Sequence, residues 1–371
     1  MLQLMLLALT LTLLPLSWWW LRQRSASVQG RLSTLTAMTL FLTFDLIVLG
    51  AFTRLTDSGL GCPDWPGCYG QASPIGALAE IGSAQTAMPS GPVTLAKAWI
   101  EMLHRYLAMS VGLLIVVAAV AGWLRRAELP HSPWWPSFTL AWVVMQGLFG
   151  KYTVTLKLYP LVVTLHLLGG VLLLALLVVQ REAFLDRPLR ALAAVVSRTL
   201  VGWVLLVILV QVALGGWVSS NYAVLACSGF PTCNGQWWPA MDAGQGFTLL
   251  RELGRAGHGG FLPFDALVAI HLAHRCFAVM AVLALACLAG ALWRAGGPAA
   301  RRCAAILGLL LLAQVLSGLS NIVFAWPIVA ALGHSAGAAA LVGVLTSLWA
   351  RLPSERGSRP AASKDRLGQP A

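Results

Sequence analysis

The chain has 371 residues, of which 58% are hydrophobic and only 10% charged, whereas an ordinary globular domain carries about 25% charged residues. With a mean hydropathy of +0.78, this composition excludes a cytosolic enzyme, a secreted disulfide scaffold and a disordered tail protein. The class it points to is an all-α polytopic membrane protein, and its 16 Trp suit helix ends that repeatedly meet a membrane interface.

In chain order, apolar stretches of about 20 residues, the length that crosses a bilayer, fall near 1–21, 33–53, 98–122, 137–156, 160–180, 199–219, 264–290, 304–326 and 328–350. The first reads as a span and not a signal peptide, because it lacks a basic n-region. Trp18, Trp19 and Trp20 followed by Arg22 form an interface anchor. No Lys or Arg lies between Met1 and Trp20, which places the amino end outside and the carboxyl end inside. The inward segments then hold Arg22, Arg24 and Arg31; Arg125 and Arg126; Arg181, Arg187, Arg190 and Arg198; Arg294, Arg301 and Arg302; and Arg351, Arg356, Arg359, Lys364 and Arg366. These are 17 of the 25 basic residues, so the net charge of +12 expresses topology and no nucleic-acid partner is expected. Two long segments, 54–97 and 220–263, lie outside. The tail from Pro353, rich in Ser, Arg, Pro and Ala, reads as disordered.

The chain repeats itself. Residues 49–71 read LGAFTRLTDSGLGCPDWPGCYGQ and residues 214–236 read LGGWVSSNYAVLACSGFPTCNGQ. Cys62, Cys68 and Gly70–Gln71 match Cys227, Cys233 and Gly235–Gln236 at an offset of 165 residues. His104–Arg105 matches His274–Arg275 at an offset of 170, and Gln146, His166 and Gly169 match Gln314, His334 and Gly337 at 168. The expected architecture is therefore two tandem four-helix units, 33–190 and 191–352, preceded by an extra helix with its basic inner loop in 1–32 and followed by the tail 353–371. Four spans return the chain to its starting side, so the repeats are parallel.

Each unit carries two histidines about seven residues below the outer end of a span, on the order of 10 Å deep at ~1.5 Å per residue. A lone membrane histidine is usually a packing residue, but two level histidines on alternate helices, duplicated in the second unit, point to metal ligation. Zinc wants three or four donors, whereas two facing imidazoles suit the axial positions of a heme iron. This reading gives two heme sites, His104 with His166 and His274 with His334. Gly169 and Gly337 would leave room for a porphyrin plane, and Arg105 and Arg275 are candidate propionate contacts or else helix–helix hydrogen-bond donors. His131 and His258 read as solvated loop residues.

Cys62 with Cys68 and Cys227 with Cys233 lie in the outer segments, where disulfides persist. They are either staples or a thiol–disulfide pair. Cys276, Cys287 and Cys303 read as small core residues. The halves differ at one telling place: Glu101, one turn outward of His104, has His271 as its counterpart. A carboxylate inside a membrane is a functional candidate, and beside a porphyrin it suits proton transfer or stabilisation of positive charge. The alternative is a salt bridge to Lys97 or Arg105. Asp45 is a second intramembrane acid whose partner the sequence does not fix.

Together these residues resemble the heme A synthase family of cytochrome oxidase assembly, over about 33–350. The most specific pieces are TRLTDSGLGCPDWPGCYG at 53–70 and EMLHR at 101–105, with His166, His274–Arg275 and His334. The resemblance implies oxidation of a methyl group of heme O to a formyl group, giving heme A. It implies substrate heme between His104 and His166 with Glu101 as the catalytic residue, and a heme b cofactor held by His274 and His334. It also implies a role in activity or heme handling for Cys62–Cys68, a structural disulfide at Cys227–Cys233, and a heme O supplier and oxidase assembly proteins as partners beside the lipid bilayer. The absence of an Arg- and Ser-rich transit peptide favours a bacterial plasma membrane. The main alternative is a di-heme b-type electron carrier without porphyrin chemistry, although two sites at one depth serve transmembrane transfer poorly. A thiol oxidase or a parallel-repeat transporter would leave the four histidines unexplained.

Overall fold

The computed structural model describes residues 2–129, 132–257 and 259–353; His131, His258 and the tail beyond Pro353 lie outside them. Among the described residues there are eleven α-helices: α1 (Leu2–Arg22), α2 (Val28–Leu55), α3 (Leu78–Ala87), α4 (Leu95–Leu124), α5 (Trp134–Thr155), α6 (Pro160–Leu185), α7 (Arg198–Ser220), α8 (Ala243–Gly246), α9 (Phe264–Ala295), α10 (Pro298–Val323) and α11 (Ile328–Arg351). Seven of them (α2, α4, α6, α7, α9, α10 and α11) are long and apolar enough to cross a membrane. The 22-residue α5 is less apolar because it carries Trp134, Trp135, Gln146 and Lys151, but it packs between α4 and α6. The protein is thus an all-helical, multi-span membrane protein. The short α3 and α8 lie in the two long connecting segments.

Local chemistry sets the helix starts. The hydroxyls of Ser27, Thr94 and Ser197 accept the N–H of Gly30, Lys97 and Leu200, capping α2, α4 and α7. Pro160 and Pro298 open α6 and α10 at positions where a missing N–H does no harm. Within α2, Thr39 and Thr43 return their hydroxyls to the carbonyls of Leu35 and Thr39, so neither is left unsatisfied in an apolar medium.

Helices α2, α4, α5 and α6 pack as one group and α7, α9, α10 and α11 as a second. The groups meet through α6 against α7 and α11 and through α2 against α11. The second group encloses a core of Val201, Val204, Ile208, Leu285, Leu288, Leu292, Leu307 and Leu345, and the first a smaller one of Val111, Ile115, Leu173 and Leu177. Residues related by the 165-residue offset touch each other: Tyr222 Oη donates to Asp57 Oδ1 at 2.6 Å and Arg54 donates to the Ser219 carbonyl. The Arg54 guanidinium also lies 3.8 Å from the Tyr222 ring centroid. Contacts between equivalent positions mark the pseudo-two-fold axis, which passes between the ends of α2 and α7.

The extra helix α1 runs the full depth of the first group. Leu4 packs in the cluster around Cys62, Cys68 and Ala98. At the other end Trp19 packs with Leu32, Leu114 and Phe184 and donates to the Arg31 carbonyl at 3.0 Å. Two sequence expectations need adjustment. Helix α4 begins at Leu95, ahead of its apolar stretch, whereas α9 begins with its stretch at Phe264; His104 and His274 are therefore the tenth and eleventh residues of their helices and lie deeper than the seventh, where His166 and His334 stand. Cys276 and Cys287 are exposed on α9 and only Cys303 is partly buried, so the first two are not core residues. An apolar side chain of a membrane helix can face lipid as readily as protein.

Both cysteine pairs form disulfides, Cys62–Cys68 and Cys227–Cys233, and all four residues are almost wholly buried. Each small loop closes with the same backbone bridge, Cys68 N–H to Gln71 O and Cys233 N–H to Gln236 O, both at 2.9 Å. Replacing Cys227 and Cys233 together by serine is expected to lower stability by about 2 kcal/mol, the loop-closure value for so short a ring, read as a fall in the unfolding temperature in detergent.

Candidate heme-binding sites

His104 and His166 come from α4 and α6 of the first group, His274 and His334 from α9 and α11 of the second. Within each pair the rings are close enough to interact electrostatically. Every one of the four lies against a glycine of the preceding long helix. A Cβ on Gly50 would stand 2.9 Å from His104 Cε1, one on Gly150 3.5 Å from His166, one on Gly215 3.2 Å from His274 and one on Gly318 3.3 Å from His334. These glycines seat the rings. Gly50→Val is expected to push His104 off its seat by overpacking, a strain of about 1–3 kcal/mol, and to weaken heme binding in the first half by about tenfold, measured as heme retained per protein.

Gly169 and Gly337 do something other than admit a porphyrin face. Their missing side chains make room for the amides of Gln146 and Gln314, and Gln314 Nε2 donates to the His334 carbonyl at 3.0 Å.

The stapled loops sit on the histidine helices through one motif used twice. In the first half the buried Glu101 accepts the Cys62 N–H at 2.8 Å and is ion-paired with Arg105. Arg105 Nη1 donates to the carbonyls of Asp64 and Gly67 at 2.8 and 2.5 Å. In the second half His271 Nδ1 lies 3.2 Å from the Cys227 N and His271 Nε2 3.2 Å from Arg275 Nε, and a neutral imidazole accepts at one of these two nitrogens. Arg275 in turn donates to the carbonyls of Cys227 and Gly229 at 2.7 and 3.0 Å. Of the two bases near Glu101 it is therefore Arg105 that pairs with it. Both arginines are engaged with loop carbonyls one residue beyond a histidine, which pins the loops across the outer ends of the two sites. Asp45 is partly buried in α2.

The donor set fits a porphyrin iron. Among the described residues no three His, Cys, Asp or Glu side chains gather as a metal cluster, whereas each group offers one imidazole pair. Nδ1 of His104 and of His166 is buried without a hydrogen-bond partner, an uncommon state for a buried polar atom. Sequence reasoning missed the glycine seats, although Gly50/Gly215 and Gly150/Gly318 recur at the offsets of the repeats.

Fold and site together define a two-fold repeated helical membrane protein with a buried imidazole pair and a disulfide-stapled loop in each half. Residues 33–346 match the family model described as cytochrome oxidase assembly protein, a match that starts after α1. The chain is 38% identical over 328 residues to a heme A synthase of Shewanella oneidensis, covering 86% of this chain and 96% of the relative. It is 29% identical over 300 residues to a heme A synthase of Shouchella clausii (78% and 85% covered), and 27% over 349 residues to one of Sinorhizobium fredii (88% and 90%). The chain belongs to the cytochrome oxidase assembly protein family, the family of these heme A synthases.

Proposed function

We propose that the protein is a heme A synthase, an oxidoreductase that converts a methyl group of heme O into the formyl group of heme A for cytochrome oxidase. The observation that carries this is the paired geometry: two imidazole pairs seated on glycines in a family of heme A synthases, with a carboxylate above only one of them. The first unit, 33–190, takes the substrate heme between His104 and His166. The second, 191–352, holds a heme b cofactor between His274 and His334, which supplies an electron acceptor when bound.

The conversion removes four electrons from the methyl carbon and adds one oxygen atom. The chain's own contribution lies in what surrounds the substrate. His104 and His166 fix the iron and so the position of the ring. The loop 62–68, locked by its disulfide and by Arg105, excludes water from the outer side. Glu101, held by the Cys62 N–H and Arg105, is a fixed negative charge one turn from His104 that stabilises developing positive charge or accepts a proton. Arg105 and Arg275 hold the loops and are the candidate contacts for the heme propionates. Both disulfides act as staples, because their burial shields them from a thiol partner. The amino end and the stapled loops face the periplasm and the carboxyl end the cytoplasm of a bacterial inner membrane, with a heme O supplier and oxidase assembly proteins as partners.

Heme extraction and chromatography on the purified protein, made with and without a heme O source, tests the reading. Heme B with heme O and newly formed heme A is the expected result. Heme B alone despite a heme O supply would assign the protein to the electron carriers, and no heme at all would overturn the bis-histidine sites.

A further inference from the structure

The two histidine pairs differ in what stands beside Nδ1, the ring nitrogen that would be left over were Nε2 to bind iron. In the second half both Nδ1 atoms have a side-chain partner. Ser317 Oγ lies 3.0 Å from His334 Nδ1. Its own hydrogen goes to the Ala313 carbonyl at 2.7 Å, which leaves an oxygen lone pair to accept Nδ1–H. The amide nitrogen of Gln211 lies 3.1 Å from His274 Nδ1 and 3.4 Å from its Nε2 and donates to the His274 carbonyl at 3.3 Å, while Gln211 Oε1 is buried without a partner. The two ends of an amide are interchangeable by a flip, and the flipped amide accepts Nδ1–H through its oxygen in exchange for the bond to the His274 carbonyl. In the first half both Nδ1 atoms are buried and unpartnered. The repeat explains why: Gln211 corresponds to Leu46 at the 165-residue offset, and Ser317 to Phe149 at 168. The seats Gly50/Gly215 and Gly150/Gly318 are kept at those same offsets, so the ring positions are preserved and only the polar partners are lost.

We propose that Gln211 and Ser317 are positioning residues that hold the second-half histidines through Nδ1 and thereby make that site the one that keeps its heme. The first half, with Leu46 and Phe149 in their places, is the site from which heme is released. An acceptor on Nδ1–H fixes the tautomer with Nε2 free for iron, orients the ring and raises its basicity; losing such a partner typically weakens metal binding about 10–100-fold. A resident cofactor needs that hold, whereas a substrate that must arrive and leave as product is better served by a weaker one. The inference rests on the bis-histidine reading above.

The test uses the full-length holoprotein in detergent, with Gln211→Leu, Ser317→Ala and the double variant. One readout is the rate at which heme B passes to excess apomyoglobin, and the other is the midpoint potential of heme B by spectroscopic redox titration. Faster heme B loss by about 10-fold or more and a higher midpoint potential are expected, since a less basic imidazole stabilises ferric iron less. Ser317→Thr, which keeps the hydroxyl, should restore both. Leu46→Gln with Phe149→Ser should slow release of heme from the first half. Should the double variant not fold, Ser317→Ala alone removes a single oxygen and must shift both readouts in the same direction. Unchanged release and potential in variants that fold, with His274→Ala still free of heme B, would overturn the inference and leave the bis-histidine reading standing. Retention of low-spin heme B at the parent level by His274→Ala would instead overturn that reading.

Discussion

Glu101→His is expected to give a protein that folds, binds its hemes and makes almost no heme A. The second half already shows that histidine can do the structural part of the work at this position. His271 lies 3.2 Å from both the Cys227 N and the Arg275 Nε and accepts from one of them, in the place where Glu101 accepts the Cys62 N–H and pairs with Arg105. A histidine at 101 can therefore keep the loop pinned on α4 while removing the fixed negative charge. Loss of a positioned acid–base group lowers turnover by about 10²–10⁴-fold, so heme A should fall to trace levels while bound heme B and unconverted heme O stay constant. Glu101→Ala is a poorer test, because it leaves Arg105 as a buried charge without its partner, a loss of about 3–5 kcal/mol. It would confuse loss of fold with loss of chemistry. Heme A formation by Glu101→His at the parent rate would mean that the carboxylate only holds the loop.

The same pair of residues shows how far the sequence could be read. That His104, His166, His274 and His334 form two sets, and that Glu101 stands opposite His271, follows from the offsets, since repeated chemistry at fixed spacing survives without any knowledge of packing. That Arg105 and Arg275 are loop anchors does not follow. Their acceptors are carbonyls some forty residues away, and nothing in a local pattern says where an irregular loop will turn its backbone. The apolar side chains posed a different problem. In water a helix announces its buried face by periodicity, but in lipid both faces are apolar, so Cys276 and Cys287 gave no sign that they look outward. The glycine seats were legible in principle. Gly150 and Gly318, one turn beyond Gln146 and Gln314, repeat as faithfully as the histidines, but a glycine in a membrane helix has many uses and only the ring beside it reveals which.

His274→Ala and His104→Ala should separate the two halves by the heme each one loses. Removing His274 takes one of the two axial ligands and unseats the ring from Gly215, so heme B should be absent or reduced to a weakly held, high-spin form. The first half keeps both its imidazoles and its stapled loop, and heme O should still be recovered from the protein. It should remain unconverted, because the electrons drawn from the methyl group have no acceptor. His104→Ala should do the reverse: heme B present with an unchanged low-spin spectrum, heme O and heme A both missing. Since a ligand that binds only the folded state raises its stability, each variant should also unfold at a lower temperature than the parent, and His274→Ala the more so if the second site binds its heme more tightly. The measurement is heme chromatography with absorption spectra on the same preparations. Loss of both hemes from either single variant would mean that the two sites act as one, an outcome at odds with each imidazole pair lying within its own group, α2, α4, α5 and α6 or α7, α9, α10 and α11.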